Sequence, residues 1–333
     1  MASFASFWYT DVVMKCHDPY YIEEHSFGDR PIAVGCGNCA YCVERKANEW
    51  AFRLMQEDKV SNSSYFITLT YDTKSVPLTP KMYMTLARSD LQGFFKRLRY
   101  FHDKTKKMRW HRALHAQYRP IKYYAVGEYG SKRKRPHYHA IVFNAHPKHI
   151  NQAWEYLGEQ VGNDENGFII RSHLQEGRKF DAGMVHIGTV TPSSCRYVQK
   201  YMMKDQGYRR AKPFPWPYDG VPQFCVQSKG LGHSYLTPQM IAWHRADFNR
   251  NYCVWPGGFK VSMPRYYRDR IWPEHAEREA MLDHIVTQVE LDEFETRSEY
   301  ERLGKLAEYY ARKRHKKIGQ RNRAISLFNL KSL

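Results

Sequence analysis

Two short segments, 121–127 (Ile-Lys-Tyr-Tyr-Ala-Val-Gly) and 137–143 (His-Tyr-His-Ala-Ile-Val-Phe), constrain the fold of this chain more than any other feature. Both read as strands, paired through the turn-like and strongly basic connection Gly130-Ser131-Lys132-Arg133-Lys134-Arg135-Pro136. The second is the more telling. The two-residue strand period puts His137, His139, Ile141 and Phe143 on one face. Tyr138, Ala140 and Val142 on the opposite face are also apolar, so this strand should lie in the middle of its sheet and be rigid.

Other elements follow from periodicity. A helix after residue 43 has Val43, Ala47, Trp50 and Leu54 on one apolar face, and Tyr65 to Tyr71 is a strand of aromatic and β-branched residues. Pro80 opens a helical stretch, and Asp90 can cap a basic helix carrying Phe94, Phe95, Leu98 and Tyr100. A helix near 148–162 has Ile150, Trp154, Leu157 and Val161 on one side. A strand from Gly183 to Thr191 precedes a helix from Pro192 through Lys204, with Ser193 or Ser194 as its N-cap. The order β-α-β-β-α-β-α predicts an α+β chain of split-βαβ type, an antiparallel sheet covered by helices. The boundaries that follow are a cysteine-rich segment with the first helix (1–60), a core (61–210), a Pro-, Gly- and Tyr-rich extension packed on it (211–272), and a charged helical C-terminal region (273–333).

Lys and Arg number 52 against 34 Asp and Glu, for a formal charge of +18. The excess is concentrated. Lys96, Arg97, Arg99, Lys104, Lys106, Lys107, Arg109 and Arg112 fall close together, and Lys132-Arg133-Lys134-Arg135 directly precedes the two histidines. Charge focused beside a candidate active site points to nucleic acid, and aromatic residues at 15% of the chain supply stacking surfaces for unpaired bases. No apolar run of roughly 18 residues is present, and Met1-Ala2-Ser3-Phe4 lacks the pattern of a signal peptide, so no membrane partner and a cytoplasmic address are expected.

Two imidazoles on one strand face can converge on an ion, and Glu128, at the end of the partner strand, could add a carboxylate. That set would leave a divalent ion open positions for a phosphate oxygen. A His-x-His arises by chance about once in a chain with 16 His, so the plainer reading is two hydrogen-bonded core histidines. His111 and His115 are a rival pair on a basic segment. At about 100° per residue, Tyr197, Lys200, Tyr201 and Lys204 share one helix face, while Cys195, Val198 and Met202 occupy another. Two phenols with two ammoniums suit nucleophilic attack on phosphorus, although Tyr and Lys also line the edges of ordinary packed helices.

The cysteines are statistically the sharpest feature. Cys36-x-x-Cys39-x-x-Cys42 can share one soft ion, with Cys16 a plausible fourth ligand for zinc. An iron–sulfur or redox centre, or three reduced buried thiols, are the competing readings. Cys195, Cys225 and Cys253 are isolated and read as structural.

Three ordered motifs resemble those of HUH rolling-circle replication initiators: Tyr65 to Tyr71, then Glu128-Tyr129-Gly130 to Pro136-His137-Tyr138-His139, then Tyr197-Val198-Gln199-Lys200-Tyr201-Met202-Met203-Lys204. The two-tyrosine form is similar to initiators of the Microviridae, and Cys36-Gly37-Asn38-Cys39-Ala40-Tyr41-Cys42 with Glu44-Arg45-x4-Trp50 resembles the gokushovirus branch. Asp90-Leu91-Gln92-x-Phe94-Phe95-Lys96-Arg97-Leu98-Arg99 belongs to the same resemblance, with a weaker echo in Ser228-Lys229-Gly230-Leu231-Gly232 and Pro264-Arg265-Tyr266-Tyr267. The family implies a sheet of about five antiparallel strands with flanking helices. It also implies His137 and His139 as ligands of Mg²⁺ or Mn²⁺, with Glu128 as the third, and Tyr197 and Tyr201 as nucleophiles with Lys200 near the scissile phosphate. The expected activity is metal-dependent nicking and rejoining of single-stranded origin DNA through a 5′-phosphotyrosine, in the cytoplasm of a bacterial host, with host polymerase and helicase as partners. Lys96, Arg97, Arg99, Lys132, Arg133, Lys134, Arg135 and Lys204 are the expected DNA contacts. The alternatives are a non-catalytic single-stranded DNA-binding or packaging protein, and a transposase or plasmid relaxase of the same chemistry.

Overall fold

Strand pairing brings together segments that lie far apart in the chain. The computed structural model describes residues 16, 20–22, 32–37, 39–107, 118–130, 132–155, 160–163, 165, 169–171, 182–204, 220–255, 257–312 and 314. Their strands are β1 (Tyr20–Ile22), β2 (Ile32–Val34), β3 (Ser64–Thr70), β4 (Lys122–Tyr129), β5 (Pro136–Phe143), β6 (Gln160–Asn163), β7 (Ile169–Arg171), β8 (Val185–Thr189), β9 (Phe224–Gln227), β10 (Tyr252–Val254) and β11 (Lys260–Ser262). The helices are α1 (Ala40–Asp58), α2 (Arg88–Lys107), α3 (Pro147–Glu155), α4 (Pro192–Lys204), α5 (Pro238–Arg245), α6 (Arg265–Ile271) and α7 (His275–Arg302). The chain divides into two compact units, Ala51–Ser234 and Met1–Trp50 with Tyr235–Leu333.

The first unit is built on a five-stranded antiparallel sheet in the order β8-β3-β5-β4-β9. β5 is its middle strand, as its two apolar faces predict. Ile67, Leu69, Ala125, Tyr138, Ala140 and Val142 face one layer, where α2 and α3 supply Phe94, Phe95, Leu98, Ile150 and Trp154. Aromatic packing ties that layer to the sheet: Phe95 stacks on Tyr123 at 3.5 Å between centroids, and Trp154 lies against Tyr71, Phe94 and Tyr138. On the other face of the sheet lie His137, His139 and Phe66, and Tyr197 of α4 packs there. α4 buries Cys195 and Val198 completely.

Polar anchors fix the elements where burial alone would leave them free to slide. Glu57 near the end of α1 pairs with Lys122 at 2.7 Å and accepts from the Gly232 amide at 2.9 Å. Arg53 donates twice to the Leu231 carbonyl, so the Ser228–Gly232 segment serves as a dock for α1. Before β8, Gly183 has φ +136, and a Cβ there would stand 2.1 Å from the Thr70 carbonyl oxygen, so no other residue fits.

Four elements differ from the sequence reading. The helix expected near 148–162 stops at Glu155, and Val161 lies in β6, which fits its β-branched side chain beside Gly162. No helix follows Pro80. Instead Leu78 bridges Met84 around a turn that holds Met82 at φ 64, because the Thr79 amide donates to the Tyr83 carbonyl. Asp90 sits inside the first turn of α2 rather than capping it. α4 is capped by Thr191, whose Oγ1 accepts from the Ser194 amide at 3.0 Å while the Thr191 amide donates to Ser194 Oγ at 2.8 Å. Pro192 then takes the first helical position, which needs no N–H.

In the second unit β1 pairs with β2 and β10 with β11. His244 is fully buried, accepting from the Tyr235 hydroxyl at Nε2 (2.9 Å) and donating from Nδ1 to the Arg250 carbonyl (2.6 Å). Burial lowers its pKa, so this ring is neutral. Cys253 is buried, with its thiol pushed up to about 12 by burial, and has no nucleophilic role at neutral pH. No helix among the described residues is long and apolar enough to cross a membrane.

The histidine-bearing strand is held from its other side by Tyr138. Its buried hydroxyl donates to the Ala87 carbonyl and accepts from the Ala87 amide, both at 2.9 Å. It also lies 2.7 Å from the Tyr71 hydroxyl, which donates to Asp90 Oδ2 at 2.8 Å. Tyr138→Phe leaves both groups of Ala87 without that partner, and urea denaturation should show a loss of about 1–3 kcal/mol with an unchanged m-value.

Candidate metal centre and tyrosine helix

Antiparallel register builds the site. Glu128 of β4 lies directly opposite His137 of β5, and Val126 opposite His139, so the carboxylate faces one histidine and sits diagonal to the other. Both imidazoles aim the same atom at it: Glu128 Oε1 is 2.6 Å from His137 Nε2 and 3.1 Å from His139 Nε2. The three ligand atoms lie within 4.8 Å of one another. Glu128 and His139 are buried, whereas the His137 side chain keeps 18% of its surface open, so the site has one solvent-facing side.

The other ring nitrogens fix the tautomers. His137 Nδ1 donates to the Arg135 carbonyl at 3.1 Å, and His139 Nδ1 is 2.9 Å from Thr68 Oγ1, the residue opposite it on β3. With Nδ1 occupied, Nε2 is the nitrogen available to a ligand. Burial works against charge on both Glu128 and His137. Their mutual hydrogen bond and attraction outweigh it, holding the carboxyl below and the imidazole above the usual ranges. Glu128 Oε2 is buried with no hydrogen-bond partner. Two Nε2 atoms, a shared carboxylate oxygen and an unsatisfied second oxygen are a donor set that fits a divalent ion of borderline hardness.

α4 brings a phenol to this centre. The half-buried Tyr197 ring stands edge-on to His139, with centroids 5.3 Å apart at 83°, and to Phe66 at 6.0 Å and 82°. Phe66 in turn stacks on His139 at 5.6 Å. Lys200, Tyr201 and Lys204 follow on the same helix, but their side chains lie outside the described residues. Cys195, one turn earlier, is a buried thiol pushed up to about 12, by burial first and then by Asp58.

The predicted cations divide into two groups. Lys132, Arg133 and Lys134 are exposed on the turn at the metal end of the β4–β5 hairpin, within a few residues of both Glu128 and His137. Arg135 turns inward and donates to the Tyr71 carbonyl at 2.7 Å. Lys96, Arg97 and Arg99 belong to α2, on the opposite face of the sheet. There Arg97 donates to the Ala153 carbonyl at 2.8 Å and Arg99 lies over Tyr123 at 5.4 Å, while Lys96 is exposed. Cys16, Cys36, Cys39 and Cys42 come together in the second unit. His111 and His115 lie outside the described residues. The sequence reading missed Thr68, Phe66 and the Arg135 carbonyl. A strand pattern tells which face Thr68 is on, but only the β3–β5 register puts it opposite His139.

A five-stranded α+β unit with a His-Glu-His centre and a tyrosine-bearing helix beside it defines the class of protein. Residues 64–206, covering the sheet from β3 to β8 together with α4, match a family of replication-associated proteins that takes its description from the ORF2 protein. The replication-associated protein VP4 of Bdellovibrio phage phiMH2K is 29% identical over 248 residues, covering 74% of this chain and 70% of that protein. ORF2 of Spiroplasma virus 4, a replication-associated protein, is 27% identical over 259 residues, with 76% and 72% covered. ORF4 of Chlamydia phage 1, also a replication-associated protein, is 28% identical over 248 residues, 70% of this chain and 52% of that one. No solved structure matches the chain. Together these similarities support a Microviridae-like replication initiator.

Thr68→Val keeps the shape of the strand and removes the hydrogen bond to His139 Nδ1. Mn²⁺ affinity, measured by calorimetry or by the free-ion electron paramagnetic resonance signal, should fall about 10- to 100-fold with the fold intact.

Proposed function

We propose that this chain is an HUH endonuclease and strand transferase that nicks and rejoins single-stranded origin DNA to drive rolling-circle replication of a small phage genome. The observation that carries this reading is the Tyr197 ring packed edge-on against His139, one of two imidazoles that share the Glu128 carboxylate. A phenol, two imidazoles and a buried carboxylate at one open site form a phosphoryl-transfer constellation, and the family match spans all of these residues.

A Mg²⁺ or Mn²⁺ ion held by His137, His139 and Glu128 would polarise the scissile phosphate and offset its developing charge. The chain's own groups do the rest. Thr68 and the Arg135 carbonyl keep the two rings aimed, so the site is set before DNA arrives. Lys132, Arg133 and Lys134 draw the phosphodiester backbone to the open side. A free phenol has a pKa of about 10 and is a weak nucleophile at neutral pH, so its activation depends on the electropositive site. The tyrosine oxygen bonds to phosphorus as the bond to the 3′ oxygen breaks, and the phenol proton leaves with the 3′-hydroxyl. The product is a 5′-phosphotyrosine and a 3′-OH for a host polymerase to extend behind a host helicase. Tyr201, one turn along α4 from Tyr197, repeats the step on the regenerated origin, and the released 3′-OH attacks the first phosphotyrosine to close a circle. Each step exchanges one phosphodiester for another, so none needs ATP. The setting is the cytoplasm of the bacterial host.

Replacing both Tyr197 and Tyr201 by Phe should abolish the covalent protein–DNA band on denaturing gels with Mn²⁺, while DNA binding stays within a few-fold. Undiminished adduct would refute the nucleophiles, and metal-independent binding with no cleavage by the unmodified chain would favour a packaging role. Changing Lys132, Arg133 and Lys134 together to Ala should flatten the slope of log affinity against log salt for single-stranded DNA by about two.

A further inference from the structure

The four cysteines of the second unit lie outside the nuclease site, and their arrangement is that of a single coordination shell. We infer that Cys16, Cys36, Cys39 and Cys42 bind one Zn²⁺ as a closed tetrathiolate, and that this ion holds the β1–β2 hairpin to the start of α1.

Distance carries the first part. Four sulfurs each about 2.3 Å from a central ion stand about 3.8 Å apart along every tetrahedral edge. Cys16 Sγ and Cys39 Sγ are 3.8 Å apart, and all four sulfurs lie within 4.8 Å of one another. A disulfide would require about 2.05 Å, and all four residues are free cysteines. An iron–sulfur cluster sets several metal atoms between its thiolates and would spread the four sulfurs further apart than this. The space at their centre suits a single ion.

Backbone geometry carries the second part. The Cys36 amide donates to Cys16 Sγ at 3.2 Å, the Cys39 amide to Cys36 Sγ at 3.2 Å, and the Cys42 amide to Cys39 Sγ at 3.4 Å. Sulfur is a weak acceptor as a thiol and a good one as a thiolate, so three such bonds point to thiolate ligands. The turn that allows them needs Gly37, whose φ is +74. Cys42 lies in the first turn of α1, where the helix dipole favours negative sulfur.

The need for an ion comes from the hairpin. Antiparallel pairing of Tyr20 with Val34 brings the chain ends carrying Cys16 and Cys36 out side by side. Strands of three residues cannot hold together by pairing alone, so a cross-link at their open end is what makes this segment a structure. A hard Mg²⁺ or Mn²⁺ ion, as proposed for the His-Glu-His centre, would not choose four thiolates, and Zn²⁺ would leave no open position here for chemistry.

This inference stands apart from the nuclease reading, and so does its test. Elemental analysis of the full chain, purified with reductant and no chelator, should give one tightly held zinc per chain. His137→Ala with His139→Ala, and Cys225→Ser as a thiol control, should leave that zinc in place. Cys36→Ser with Cys39→Ser should lose it. Should that variant fail to fold, Co²⁺ exchanged into the unaltered chain decides: the inference requires the intense visible bands of a tetrahedral tetrathiolate. Cys16→His should keep the ion while weakening the sulfur-to-cobalt charge transfer. Zinc that persists after Cys36 and Cys39 are replaced, iron with inorganic sulfide in its place, or a weak octahedral cobalt spectrum would overturn it.

Discussion

Much of the first unit is organised around one buried carboxylate. Glu128 lies on a strand whose neighbours on both sides are covered, where an isolated ionised group would be very costly. The fold meets that cost with two imidazoles on the adjacent strand, both aimed at the same oxygen, and leaves the second oxygen unsatisfied. This local imbalance explains the geometry around it. The histidines must come from the central strand, because only there do packing layers on both faces hold a ring in one orientation. The basic turn must follow Glu128 and precede His137 directly, which places its three exposed cations at the mouth of the site. α4 must cross the histidine face, which brings Tyr197 against His139.

The opposite face explains how such a centre stays rigid. Tyr138 lies between the two histidines in sequence and points the other way, its hydroxyl bound to both backbone groups of Ala87 just before α2. One strand therefore carries site residues on one side and a structural clamp on the other. The first basic cluster belongs with the clamp. Arg97 is held by the Ala153 carbonyl, and Arg99 covers Tyr123. Charge density in the sequence does not distinguish these residues from Lys132, Arg133 and Lys134, which flank the centre. Only the sheet, by separating the two clusters onto different faces, does so.

Local pattern is a good guide wherever one element decides its own form. The strand 137–143, the start of α4 and the first helix are all legible, because alternation, proline and apolar spacing act within a few residues. It fails where a competing contact is non-local or a single residue tips the balance. Val161 continues a helical spacing in the sequence, yet it lies in β6. β9, which closes the sheet beside β4, lies in a stretch with no readable order, because its pairing with Tyr124 to Gly127 is made across about a hundred residues. Cys16 stands some 20 residues before the cysteine run, with no spacing rule to join it, and the β1–β2 pairing is what delivers it.

The sequence by itself determined the chemical inventory: two histidines on one strand face, a carboxylate at the end of the preceding strand, a tyrosine helix, three spaced cysteines and a concentrated positive charge. Those properties are local, set by a two- or 3.6-residue period and by side-chain chemistry. Tertiary structure alone decided which members of the inventory meet. Register put Glu128 opposite His137 and Thr68 opposite His139, helix packing put Tyr197 on His139, and the short hairpin carried Cys16 to Cys39. The physical reason is that contact across a sheet depends on strand order and register. Long-range burial fixes both at once, and no short window of sequence encodes either.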